Sequence, residues 1–168
     1  MDFHPKGASE VRKIASCVDV REKEKEGILP DTIHVEREKD PETKRMRIRI
    51  LSFGFKHGLP AEADLLIDVR FIPNPYYVHS LKELDGKDMH VQQFVKKWPE
   101  TRAFLEKYHS LLEYLIPLYE KEEKACLTLA IGCTGGRHRS VVIAEEIFTL
   151  LKDSGREITL THRDIGLV

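Results

Sequence analysis

The densest run of reactive and hydrogen-bonding side chains is the stretch AIGCTGGRHRS, 130–140, in which a cysteine, two arginines, a histidine and two hydroxyl residues fall within eight positions. Gly135 and Gly136 let the backbone turn its N–H groups inward without Cβ obstruction. A helix starting near His138 adds free N–H groups and the positive end of its dipole. Thr134 and Ser140 supply hydroxyl donors, and Arg137 or Arg139 can make charge-assisted bonds to an oxyanion. Together these describe a cradle for phosphate; the plainer alternative is a tight strand-to-helix turn with two surface arginines. No GxxxxGK[ST] occurs, so a Walker-type nucleotide loop is excluded.

The same residues satisfy C-x5-R-[ST], the spacing of the cysteine-dependent phosphatases, with Cys133 as nucleophile, Arg139 as phosphate clamp and Ser140 as thiolate stabiliser. Gly132 stands where those enzymes usually carry histidine, and only Asp68, Asp85 and Asp88 offer a general acid. Otherwise Cys133 is a small thiol that fits the strand's exit. The pattern leans toward a binding site with no reaction of its own, with the phosphatase as the alternative and no cofactor called for.

The loop must be held by a strand before it and a helix after it, and the flanking residues supply both. CLTLAI, 126–131, is an apolar run of buried-strand length, and HRSVVIAEEIFTLLKDSG reads as a helix closed by Gly155. Upstream, MRIRILSFG alternates as a strand over 46–54, and DLLIDV, 64–69, is a second buried run. RFIPNPYY is an extended loop stiffened by Pro73 and Pro75. Helices follow over 89–97 and from Pro99, where Phe104, Leu105, Tyr108, Leu111, Leu112, Leu115, Ile116 and Tyr119 share a face until Pro117 loosens the end. EITLTHRD, 157–164, is a last strand. Strands separated by helices predict an α/β fold: a single three-layer domain with a small, mostly parallel sheet and helices on both faces.

In such sheets ligands lie beyond the carboxyl ends of the strands. Three polar clusters fall there: SFGFKHG, DVR and CTGGRHRS. His57 is either a donor to the ligand or a solvated loop histidine. Asp68 binds sugar hydroxyls or orients Arg70. Asn74 and Tyr76 form a wall of the pocket or only a rigid crossover. Arg45, Arg47 and Arg49 alternate along one strand face about 6–7 Å apart, which suits either RNA phosphates or the wet face of a sheet. His138 and His162 lack paired ligands at a recognised spacing, so no metal site is expected.

The remaining sequence bounds the setting. With 27 basic and 28 acidic residues in 168, no global charge draws the chain to polyanions, so any such affinity is local. Residues 1–45 are charge-dense and read as an extension or linker with one short helix over 11–18, leaving 46–168 as the domain. Cys17, Cys126 and Cys133 form no CxxC pair and leave an odd one out, which argues against a disulfide framework and a structural zinc site and for a reducing, cytoplasmic location. No apolar run approaches the ~18 residues of a membrane span.

ILSFGFKHGLPAEADLLIDVRFIPNPYY and CLTLAIGCTGGRHRSV closely resemble the C-terminal domain of the RapZ family, the RNase adapters also described as YvcJ-type nucleotide-binding proteins, over residues 46–163. The P-loop kinase-like half of that family has no counterpart in the sequence. The resemblance implies a fold like the sugar-phosphate subdomain of phosphofructokinase and a ligand such as glucosamine-6-phosphate. It also implies partners: RNA, an endoribonuclease, a separate kinase-like chain, or further copies of this chain. Its pocket would take His57, Asp68, Arg70, Thr134, Gly135, Gly136, Arg139 and Ser140, with Arg137 where lysine is common, and His138 between the two arginines completes the candidate ligand-binding set. The first 45 residues and the tail THRDIGLV depart from the RNA-binding members.

Overall fold

The structure, a computed structural model, describes residues 31–35 and 46–167. The helix expected over 11–18, and Arg45, lie outside the described residues. Five strands form one sheet in the order β1-β5-β2-β4-β3: β1 (Asp31–Val35), β2 (Arg47–Gly54), β3 (Leu65–Asp68), β4 (Cys126–Cys133) and β5 (Ile158–His162). β2 pairs in parallel with β4 and β5, and β3 in parallel with β4. β1 pairs antiparallel with β5, Asp31 opposite His162. No strand is predicted there from the sequence: the alternation of Ile33 and Val35 with Thr32 and His34 is short and set among charged residues.

Alternation along the strands sorts the two faces. Ile48 and Ile50 of β2, Leu127, Leu129 and Ile131 of β4, and Ile158 and Leu160 of β5 join one apolar cluster with Val91, Val95, Tyr108, Leu112, Ile116, Val142, Ile143 and Ile147. Those partners belong to α1 (Met89–Lys96), α2 (Pro99–Lys121) and α3 (Arg139–Leu151). The three helices therefore share one face, where burying each large aliphatic side chain contributes roughly 1.5–3 kcal/mol. Among the described residues the helices lie on this one face, where the sequence predicts helices on both. Leu51 and Phe53 are buried on the other side, beneath the 55–64 connection, whose Glu62 reaches Arg49. Among the described residues, that connection from β2 to β3 carries only the short helical turn Phe55–His57.

Local chemistry explains the helix ends. The Asp88 side chain accepts the His90 N–H at 2.8 Å and starts α1. Pro99 occupies the first turn of α2. α2 buries Tyr108, Leu112 and Ile116 at four-residue spacing, while Leu111, expected on that face, is exposed. The helix runs one turn through Pro117, which sits near enough to the end that few later residues depend on it. α3 is buried on nearly all sides in its first two turns, being wedged between the sheet and the other helices.

Candidate functional site

Four parallel strands end together: β2 at Gly54, β3 at Asp68, β4 at Cys133 and β5 at His162. The glycine loop after β4 lies directly on the end of β2. A Cβ on Gly54 would stand 2.5 Å from the Gly135 carbonyl carbon, and one on Gly136 2.7 Å from both the Gly54 nitrogen and the Asp164 Cβ. Gly136 also has φ +76°, a left-handed conformation that side chains resist. Gly135 has room, its nearest neighbour being the Lys56 side chain at 3.6 Å. Of the two loop glycines, Gly136 needs both its left-handed backbone and its missing Cβ and Gly135 needs neither, while Gly54, in an extended backbone, needs only the missing Cβ.

At the start of α3 the N-cap residue, His138, makes no side-chain capping bond. Arg139, the first helical residue, is buried. Its Nη1 donates to the carbonyls of Arg70 at 3.0 Å and Ile72 at 2.9 Å, and its Nη2 to the Thr134 hydroxyl at 3.2 Å. Its buried Nε–H has no partner. In a planar guanidinium, Nε–H and one Nη2–H share the edge that grips an oxyanion in a bidentate manner. On Arg139 the Nε–H is free of any partner and Nη2 has Thr134 alone. Burial lowers the Arg139 pKa, against the favourable charges of Cys133 and Asp68. Behind it, Cys133 Sγ and Ser140 Oγ lie 3.1 Å apart, both buried.

Asp68 orients Arg70. The Arg70 Nε and Nη2 donate to the carboxylate at 2.8 and 2.7 Å, and its backbone N–H at 2.9 Å. The Arg70 side-chain bonds hold the Asp68 pKa down, against partial burial. The Arg70 guanidinium lies 4.3 Å over the Phe55 ring, and Phe55 meets Phe53 edge to face at 4.9 Å. A Cβ on Gly132 would come within 2.5 Å of Phe53 and 2.6 Å of Phe55. A histidine there, as in the phosphatases, has no space.

A sequence profile of the RapZ C-terminal domain matches residues 46–166. The chain belongs to the RapZ C-terminal domain family. A nucleotide-binding protein of Caldicellulosiruptor saccharolyticus is 56% identical over 120 residues, covering 71% of this chain and 41% of that protein. One of Syntrophobacter fumaroxidans is 54% identical over 126 residues, covering 75% and 44%. Nucleotide-binding protein TTE1834 of Caldanaerobacter subterraneus is 42% identical over 161 residues, covering 96% and 57%. That last alignment takes in most of the first 45 residues, beyond the profile's reach. The chain spans about two to three fifths of the length of these relatives.

Other residues singled out in this RapZ C-terminal domain take different places. Arg137 turns from the loop, its Nη2 donating to the Glu83 carbonyl at 2.6 Å and its Nε to that of Leu84 at 3.3 Å. His138 is buried; burial lowers its pKa most, the Leu84 carbonyl opposes this, and the Arg137 charge adds to the lowering. His57 sits in the turn Phe55–His57 after β2, with a buried, unpartnered Nε2. Asn74 caps the turn Pro75–Tyr77, accepting the Tyr76 N–H, and Tyr76 is half exposed beneath the Lys82 ammonium at 5.0 Å.

Asp85 and Asp88 cap Lys87 and His90, so each carboxylate is occupied locally. His162 is buried between Ser52 Oγ at 2.8 Å and Glu145 Oε1 at 3.2 Å. No group of three metal-ligating side chains occurs among the described residues, and no described helix is long and apolar enough to cross a membrane. Arg47 and Arg49 lie on the loop-covered face, at the end of β2 opposite the glycine loop, about 15–23 Å from Gly54 along the strand. Cys126 is disulfide-bonded, where the sequence argues against a disulfide framework, and Cys133 is free.

Sequence reasoning missed four residues of the RapZ domain's strand-end cluster. Lys56 donates its backbone N–H to the Thr134 carbonyl at 3.1 Å and lays its side chain along Gly135. Phe55 supports Arg70. Arg163 grips Asp164 through Nε and Nη2 at 2.8 Å each and the Gly58 carbonyl at 2.8 Å. The available signal was THRD, which ends a parallel strand on a charged pair just as DVR does.

Proposed function

We propose that this domain binds a phosphorylated small molecule, its phosphate seated between the uncapped start of α3 and the unpartnered Nε edge of Arg139. One observation carries the reading: the Arg139 Nε–H is buried without a partner while the rest of the guanidinium is anchored. A buried charged donor left unpaired is unfavourable by roughly 1–3 kcal/mol or more, and an oxyanion at that edge removes the penalty. Thr134 and Lys56 add a hydroxyl and a second positive charge beside it. An amino-sugar phosphate such as glucosamine-6-phosphate is the ligand the family resemblance implies. The relatives' name, nucleotide-binding protein, is compatible with the same phosphate chemistry.

Titration calorimetry with glucosamine-6-phosphate tests it. Arg139→Lys keeps a charge but loses the planar edge, so affinity should fall at least about tenfold. An unchanged affinity in a folded variant would remove the site.

An RNA-adapter role, with RNA on the row of Arg47 and Arg49 and an endoribonuclease as partner, is the second part of the proposal. The row lies apart from the phosphate site, so RNA phosphates along it would not fill the cradle.

The phosphatase reading has one observation in its favour, the 3.1 Å contact between Cys133 and Ser140. Against it, Asp68, Asp85 and Asp88 are each committed elsewhere. It requires aryl phosphate turnover that Cys133→Ser abolishes; an inactive wild type from acidic to neutral pH dismisses it.

A further inference from the structure

The sequence casts Arg70 as a hydrogen-bonding ligand residue, yet its bidentate edge is occupied by Asp68. What Arg70 still offers is its flat face. One side lies against Phe55. The side chain as a whole is 48% exposed, which leaves the other side to solvent. The plane is held from three directions: Asp68 fixes the edge, Phe55 supports the face, and Phe53 fixes Phe55 through the space that Gly132 leaves open. The stack also adjoins the phosphate site, since the Arg70 carbonyl is one of the two that anchor Arg139.

A guanidinium whose charge is already paired and whose plane is immobilised is a surface for stacking a π system, because little side-chain freedom remains to be lost. The geometry points to Arg70 as a stacking platform for a nucleobase whose phosphate occupies the glycine loop. This rests on the phosphate site proposed above and narrows its ligand to one that carries a base: a nucleoside monophosphate, or the 5′-phosphorylated terminal nucleotide of an RNA. A hexosamine phosphate would fill the cradle and leave the platform bare. Tyr77, 85% exposed on the adjoining loop, is a second flat group in the neighbourhood, held edge to face by Tyr76.

The test compares adenosine 5′-monophosphate, uridine 5′-monophosphate and ribose 5-phosphate by calorimetry on the 168-residue chain. These share a phosphate and a ribose and differ in the base. Stacking on such a platform predicts that both nucleotides bind at least about tenfold tighter than ribose 5-phosphate. Inorganic phosphate should displace them. Arg70→Lys preserves the charge and the backbone carbonyl that anchors Arg139, and should collapse the nucleotide-to-ribose-phosphate ratio toward one.

Equal binding of all three by the wild type overturns the stacking inference and leaves the phosphate site standing. A wild-type preference that Arg70→Lys does not change also overturns it, since the base would then rest elsewhere. Binding of none of the three, nor of glucosamine-6-phosphate, removes the phosphate site and the platform with it. A pentaribonucleotide with a 5′-phosphate, set against the same chain with a 5′-hydroxyl, separates the two sources. Phosphate-dependent binding tighter than the mononucleotide assigns the platform to an RNA end, and binding no tighter assigns it to the free nucleotide.

Discussion

The Asp164 carboxylate accepts the Gly54 N–H at 2.7 Å across 110 residues of chain. Asp164 is buried and also holds Arg163 through both oxygens. It thereby ties the end of β5 to the end of β2, where the glycine loop rests, and Arg163 extends the tie to the carbonyl of Gly58.

Asp164→Ala leaves a buried N–H and an arginine without their acceptor and should lower stability by about 3 kcal/mol. That corresponds to roughly 10 °C in Tm for a chain of this size. Asp164→Asn keeps an acceptor for Gly54 and should cost about half as much. Urea titration of both variants is the check, and equal losses would mean that the Gly54 bond contributes nothing separable from the Arg163 pair.

Three glycines should tolerate alanine in a definite order. Gly54→Ala and Gly136→Ala each drive a Cβ into backbone, at 2.5 and 2.7 Å, so both should be destabilised by more than about 2 kcal/mol. Gly135→Ala meets only the Lys56 side chain, at 3.6 Å, and should fold with nearly wild-type stability. Thermal unfolding of the set decides it; a Gly135→Ala variant as unstable as the others would contradict the described loop.

His138 should make the fold acid-sensitive. Burial, ahead of the neighbouring arginine charges, keeps its folded pKa below the ordinary value of about 6.5. The unfolded chain then binds a proton that the folded chain resists. Stability is at its full value above pH ~6.5 and declines as the pH falls below it. Replacing the imidazole by an uncharged amide in His138→Asn should flatten the stability profile between pH 7 and pH 5.5. An equally steep profile in that variant would assign the slope to other groups.

If RNA follows the arginine row, the double variant Arg47→Gln, Arg49→Gln should weaken binding. It should also reduce the slope of log K against log salt by about 1 to 1.5, roughly 0.7 per phosphate contact on a single strand. Arg49 would have to leave Glu62, now 3.7 Å away. Gel shifts over a salt series measure both quantities. A slope identical to wild type would show that the phosphates lie on another surface.

Much of the fold was legible because it is written in consecutive residues. The alternation of MRIRILSFG, the apolar run CLTLAI and the four-residue spacing of Tyr108, Leu112 and Ile116 are local patterns, and β2, β4 and α2 stand where those patterns put them. β1 did not stand out, because its alternation over Thr32-Ile33-His34-Val35 is short and set in a charge-dense stretch, and its partner β5 lies far along the chain. The loop-covered face escaped notice for a related reason: a short connection that skips a strand in the sheet cannot be told in sequence from one that does not.

Within the site, the sequence by itself determined which groups would be present: two glycines, hydroxyls and a guanidinium after one strand, and an Asp-x-Arg pair after another. Turn chemistry and helix starts depend on nearest neighbours along the chain, so their composition suffices to locate them. Only the tertiary structure decided how each guanidinium is used. Arg139 is anchored at its other end because Arg70 and Ile72, more than sixty positions away, offer it carbonyls, and its buried Nε–H is left without a partner. Arg70 loses that edge to Asp68 and keeps its face, and Arg137 turns to the Glu83 and Leu84 carbonyls. An arginine has five donors and several edges, and which of them remain free depends on segments that meet only once the sheet has assembled.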